Sequence, residues 1–207
     1  MIQSATATVT ATSISNKTPY TVNEDFDDEL RNSIGKVVWV GRNYAAHALE
    51  LGNEVPTSPV LFMKPASSVV SIHNDIIRPE ASSYGDTHYE AELCIQLAAN
   101  LSKATVQQAR QAIGSITLGL DLTLRELQSQ LKAKGQPWER AKCFDGACLL
   151  ADWLDPIIFD DLSQVKYQLY INDKLTQNGD SALMLFPIYE LLANISHAFS
   201  LQAGDVI

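Results

Sequence analysis

The sequence predicts an α+β protein, and three observations carry that expectation. Short apolar runs of strand length outnumber the segments with helical periodicity. The two kinds do not follow the regular strand–helix alternation of a doubly wound sheet. The chain has 207 residues, 46% hydrophobic and 19% charged, which suffices for one full core and is short for two. We therefore expect one domain over residues 19–207, preceded by a Ser/Thr/Ala-rich arm over residues 1–18 that is loosely ordered or an early strand.

Val37-Val38-Trp39-Val40 reads as a buried strand that stops at Gly41, and the polar stretch after it has helical character from Asn43 to Leu51. Val60-Leu61-Phe62-Met63 is a second strand, ended by Lys64-Pro65. Glu90 to Ala98 opens with two acids and turns apolar. Thr105 to Ile113 has the spacing of a helix, with Thr105 as cap, Val106, Ala109 and Ile113 as the buried stripe, and Gly114 at its stop. Ile116 to Leu122 is another apolar strand. Thr123-Leu124-Arg125-Glu126 has the form of a capping box opening a helix with Leu124, Leu127 and Leu131 buried, ended by Gly135-Gln136-Pro137. Val165, Tyr167, Leu169 and Ile171 alternate as in a strand, and Asn172-Asp173 turns the chain back. Ile188, Leu191, Leu192, Ile195 and Phe199 form one stripe of an amphipathic helix.

A formal charge of -9 argues against nucleic acid and anionic membrane as partners. No run approaches the ~18 apolar residues of a membrane span. The three cysteines, Cys94, Cys143 and Cys148, fit neither a disulfide framework nor a zinc spacing, so a reduced, cytoplasmic protein is expected. Trp138, Trp153 and Tyr167 read as core or interface filling.

The chemistry concentrates in the acids. Glu90 and Glu92 lie one residue apart, and in a strand both point to one face. Asp121 lies where a strand gives way to a helix. Like charges gathered on one face need a cation between them, and a donor set of carboxylate oxygens without His or Cys suits Mg²⁺, Mn²⁺ or Ca²⁺ over zinc. On spacing alone, a solvated strand face with Asp121 as a helix cap is an equal reading. His47 and Glu50 are three apart on a helical stretch and can pair, which is how an imidazole becomes a general base; a solvated surface pair is the plainer alternative. Arg42, Lys64, Lys142, Arg125 and Gln128 could together bind a carboxylate or an oxyanion, although each singly reads as a solvated group.

In this order, the strings Gly41-Arg42-Asn43-Tyr44-Ala45-Ala46-His47-Ala48-Leu49-Glu50, Phe62-Met63-Lys64-Pro65, Tyr89-Glu90-Ala91-Glu92-Leu93, Asp121 to Gln128 and Trp138 to Asp145 resemble the fumarylacetoacetate hydrolase family. The nearest branch is the small acylpyruvase and oxaloacetate decarboxylase group. The resemblance covers residues from about 36 onward. It implies a mixed, rolled β-sheet with a few peripheral helices, a single catalytic domain and a homodimer. It further implies Glu90, Glu92 and Asp121 as ligands of Mg²⁺, with Mn²⁺ possible and Ca²⁺ less suited. His47 and Glu50 would be the water-activating dyad on a lid segment, and Lys142 the lysine near the reacting oxygen. Arg125 and Gln128, with Arg42 and Lys64 assigned by position, would bind substrate.

The implied activity is metal-dependent hydrolysis or decarboxylation, cleaving a C–C bond in small anionic 2-oxo acids such as acetylpyruvate, fumarylpyruvate or oxaloacetate through a metal-stabilised enolate. The alternatives are a hydratase or isomerase of unsaturated 2-oxo dioic acids in aromatic catabolism, or a metal- and oxo-acid-binding protein with impaired catalysis. Family members continue into a Gly-Thr-Pro segment and further strands where this sequence stops at Ala203-Gly204-Asp205-Val206-Ile207. The expectation is a fold truncated at the C-terminus, with the metal end of its pocket complete and the substrate end incomplete.

Overall fold

The computed structural model describes residues 5–10, 32–50, 52, 54–74, 79 and 84–207, with backbone only for residues 5–10 and 47. Its strands and helices are, in chain order, β1 (Ala5–Thr10), β2 (Lys36–Gly41), α1 (Ala45–Glu50), β3 (Val60–Pro65), β4 (Val69–Ser71), β5 (Thr87–Leu97), α2 (Val106–Gln111), β6 (Ile113–Leu124), α3 (Arg125–Ala133), α4 (Glu139–Lys142), β7 (Cys148–Leu150), β8 (Lys166–Ile171), β9 (Lys174–Asp180) and α5 (Ile188–Ala198). The α+β class expected from the sequence is the class observed.

The main sheet is mixed. Four strands run in the order β4-β7-β6-β5, antiparallel except for the parallel β4–β7 pair. The antiparallel β2–β3 pair joins them through residues 205–207: Val38 N donates to Val206 O at 2.8 Å, and Ile95 N to Ile207 O at 2.7 Å. The sheet curls until its two edges meet. Val37 and Trp39 of β2 share one buried cluster with Val69 of β4 and with Cys148 and Leu150 of β7. Lys64 on β3 reaches the carbonyl oxygens of Leu122 and Ala147, beside β6 and β7. The rolled, mixed sheet implied by the resemblance is therefore present.

The outer face of β5 and β6, carrying Ala91, Leu118, Leu120 and Leu122, packs on Tyr167 and Leu169 of β8. β8 is the middle strand of a separate antiparallel sheet, β1-β8-β9. The expected arm over residues 1–18 contributes β1 to that sheet, and its other residues lie outside the described part. Gln177 of β9 bonds both backbone groups of Ala91, at 2.8 and 2.7 Å, and so satisfies the β5 edge between Glu90 and Glu92. α2 and α5 pack together over Val38, Ile95 and Leu97, closing the remaining apolar face. No described helix is long and apolar enough to cross a membrane.

Two local expectations fail. Thr123 does not cap α3. It pairs with His88 in the β5–β6 ladder, β6 runs on to Leu124, and Leu124 becomes the cap without a side-chain bond. A ladder closed on both sides outweighs one local capping bond. The reciprocal capping box stands instead at Thr105 and Gln108, at the start of α2. Val106 is 43% exposed and outside the expected buried stripe, and Ile113 already belongs to β6, so α2 buries Ala109 alone.

Candidate metal centre and active site

Antiparallel pairing of β5 with β6 sets Glu90 directly opposite Asp121 and Glu92 opposite Gly119. Pleating then puts all three acids on the inner face of the roll, where one ligand atom from each lies within 4.8 Å of the others. Like charges directly opposite destabilise a sheet. A Cβ on Gly119 would come within 2.7 Å of Cys94 Sγ and 3.1 Å of Leu149 O, so the glycine permits this tight approach beside Glu92.

Three cations answer the acids, and each comes from a different element. Lys142, buried at the end of α4, pairs with Asp121 Oδ2 and stands 4.5 Å over the Phe62 ring. Lys64 is wholly buried, with Nζ 2.6 Å from Asp121 Oδ1. Two of its three N–H groups meet the Leu122 and Ala147 carbonyls, and the ammonium is shared between them and Asp121. Arg125, the first residue of α3, donates to Glu90 Oε1 at 2.7 Å and to Gln128 Oε1 at 2.8 Å, while its Nε is buried and unpartnered. With Gln128 Oε1 occupied by the arginine, the Gln128 amide nitrogen remains as a donor for a ligand.

The three cations match the three acids in number, yet among the described residues no ion pair reaches Glu92. The Glu92 carboxyl sits well above its usual pKa, because protein encloses it and because Asp121 and Glu90 repel its charge; Lys142 and Lys64 offset this only in part. It keeps some exposed area solely because it fronts a cavity. Three carboxylates crowded together, with one of them driven toward its neutral form, are the features a bound cation would resolve. Three carboxylates of hard oxygen donors fit a divalent metal ion.

A cavity open to solvent lies in front of the triad and spans about 490 Å³. Arg42, Arg125, Gln128 and Lys142 line it on one side, and Phe62 and Trp138 form an aromatic wall with ring centroids 6.4 Å apart. Arg42 holds a left-handed φ of 59°, a strained conformation for a non-glycine residue and one that concentrates at functional sites. A second, mainly apolar cavity of about 830 Å³ meets the first at Arg42, Glu90 and Glu92.

Of the residues expected from the sequence, Glu90, Glu92, Asp121, Lys142, Arg125, Gln128 and Arg42 converge on one cavity. Lys64 does not line it; its ammonium lies behind Asp121. Glu50 is exposed at the end of α1, and the His47 side chain lies outside the described part. The start of α1 is clamped, because Asn43 accepts from Phe186 N at 2.8 Å and donates to Phe186 O at 3.1 Å. Sequence reasoning missed Trp138 and Lys132 as cavity residues. The signal for Lys132 was present: it follows Arg125 and Gln128 at helical spacing on α3.

A rolled sheet that sets three carboxylates before a cation-lined cavity has the donor set for a divalent metal ion beside charges suited to a small anion. The chain belongs to the fumarylacetoacetate hydrolase family: the family described as "Fumarylacetoacetate (FAA) hydrolase C-terminal" matches residues 36–207. It is 40% identical over 175 residues to an oxaloacetate tautomerase of Escherichia coli K12, covering 84% of this chain and 79% of that protein. A crystal structure of a putative fumarylacetoacetate isomerase/hydrolase from Oleispira antarctica superimposes with a TM-score of 0.80 at 48% identity, covering 84% and 78% of the two chains. A fumarylpyruvate hydrolase from Pseudomonas aeruginosa, in complex with Mn²⁺ and pyruvate, matches with a TM-score of 0.77 at 29% identity, covering 84% and 76%.

Proposed function

We propose that this protein is an Mg²⁺- or Mn²⁺-dependent enzyme that converts small 2-oxo acids through their enolates, with oxaloacetate as the first substrate to test. The observation that carries this reading is the single cavity onto which three carboxylates, a buried lysine and a paired Arg–Gln converge. Similarity to an oxaloacetate tautomerase supports the substrate, and similarity to an Mn²⁺-binding fumarylpyruvate hydrolase supports the metal.

Glu90, Glu92 and Asp121 would hold the divalent ion, which supplies the Lewis acidity that a developing enolate requires. Arg125 and Gln128 bind the carboxylate next to the 2-oxo group, the arginine by charge and the glutamine through its free amide nitrogen. Loss of a proton from C3, or of carbon dioxide from C4, leaves an electron pair that becomes negative charge on the C2 oxygen. Lys142, desolvated and already 4.5 Å over Phe62, donates a hydrogen bond to that oxygen. Lys64 acts from behind, fixing the orientation of Asp121. Phe62 and Trp138 exclude water from the reacting carbons. C–C hydrolysis is the second reading, and it assigns His47 and Glu50 on α1 to activation of water.

The test is an assay of the purified protein with Mg²⁺ or Mn²⁺, following the enol absorbance and carbon dioxide release of oxaloacetate and the cleavage of acetylpyruvate and fumarylpyruvate. Metal-dependent conversion of oxaloacetate that survives His47→Ala supports the first reading. Cleavage of an acylpyruvate that His47→Ala abolishes supports the second. No metal-dependent turnover of any of them sinks both.

A further inference from the structure

We propose that Lys132, together with Arg42 on the lining of the same cavity, binds a second carboxylate and so makes this site selective for 2-oxo dicarboxylic acids over 2-oxo monocarboxylic acids. This inference deepens the reading of the cavity as a 2-oxo acid site and rests on it.

Lys132 is not needed by the metal triad, the fold or any ion pair. Among the described residues no carboxylate lies within ion-pair distance of Lys132 or of Arg42. Both nevertheless line the cavity that holds the three acids. Spacings of three and four place Arg125, Gln128 and Lys132 on one face of α3. At 1.5 Å of rise per residue, Lys132 stands about 10 Å along the helix from Arg125. Arg125 is tied to Glu90 at the metal end, so Lys132 belongs to the far end of the same wall.

Its position is held in advance. The ammonium lies 4.9 Å over the Trp138 ring, which lowers the rotamer entropy lost when it meets a ligand. It is also crowded. Lys132 is exposed at its surface side, yet the burial it has, then the charges of Arg42, Arg125 and Lys142, lower its pKa, and Glu90 offsets only part of that. Cations gathered around an open space, two of them with no carboxylate partner among the described residues, are what a ligand with a second negative charge would relieve. A monocarboxylate chelating at the triad would satisfy Arg125 and Gln128 and leave Lys132 and Arg42 unpaired.

The experiment uses Lys132→Met, which keeps the apolar stem over Trp138, and Lys132→Arg, which keeps the charge. Dissociation constants of the Mn²⁺-loaded full chain for oxaloacetate and for pyruvate are measured by calorimetry, alongside kcat and KM for oxaloacetate and acetylpyruvate. The expected result is oxaloacetate binding weakened about tenfold in Lys132→Met, seen in KM with kcat within about twofold. Pyruvate and acetylpyruvate should change by less than about twofold, and Lys132→Arg should restore most of the loss. Equal weakening of both ligand classes, no weakening of either, or failure of the wild type to bind oxaloacetate overturns the inference. If the wild type turns over no 2-oxo acid, the reading under the previous heading fails, and the two dissociation constants still decide the role of Lys132.

Discussion

Asp121 and Asp205 are both buried aspartates facing lysine, and they are opposite in kind. Asp205 is fully satisfied: it accepts from Lys36 N at 3.1 Å, from Gln202 N at 2.7 Å and from the Lys36 ammonium. It ties residues 202–206 to the start of β2 and faces no other acid at close range. Asp121 has a lysine at each oxygen, yet two further carboxylates share its space. Burial with a counter-charge and no crowding marks a structural charge. Burial among like charges marks a site that a ligand completes.

The largest test of this contrast replaces Asp121 by Asn. Mn²⁺ affinity and metal-dependent turnover should fall by more than the ~100-fold typical of losing a group that merely supports a ligand. Metal-free thermal stability should fall as well, because the buried ammoniums of Lys64 and Lys142 lose their shared counter-charge. Calorimetry with Mn²⁺ and a melting curve read the two outcomes; retained metal binding would break the comparison.

Asp205→Ala should separate the two effects, lowering stability and sparing the metal. It leaves the backbone N–H groups of Lys36 and Gln202 without their partner, at a cost of about 2–4 kcal/mol in denaturant unfolding, with Mn²⁺ affinity unchanged. Lys36 is partly exposed and regains water, which keeps the loss below that of stranding a wholly buried charge.

A graded effect follows from Glu92. Burial, then Asp121 and Glu90, raise its pKa in the folded metal-free protein, so its contribution to stability is present below the ordinary carboxylate range and is lost as pH rises through the raised value. Metal-free stability should therefore fall with rising pH in that window while Mn²⁺ affinity climbs, with a proton released on binding. Calorimetry in buffers of different ionisation enthalpy measures that proton, and Glu92→Gln should remove it. The smallest effect is expected at Asp161, whose pKa is lowered by the Ser163 hydroxyl and N–H. Its stabilisation is present above the ordinary carboxylate pKa and is lost as pH falls through the depressed one. Asp161→Ala should cost about 0.5–1 kcal/mol in chemical unfolding and leave metal binding untouched.

Much of the site was legible because strand and helix periodicity are local properties. A period of two put Glu90 and Glu92 on one face, and helical spacing put Arg125 beside Gln128. The types of residue limited the metal to a hard divalent ion. What periodicity could not carry was which partner each face would meet. Only closure of the roll brought the β3 edge to β6 and β7, sending Lys64 behind Asp121 and out of the cavity. Only the packing of α3 against the turn before α4 set Lys132 over Trp138, a ring that the sequence left as filling. Only the continuous β5–β6 ladder turned Thr123 from a helix cap into a buried strand residue. Facing is encoded within a few residues of chain, whereas adjacency depends on contacts between segments far apart in sequence, and those exist only once the sheet has rolled shut.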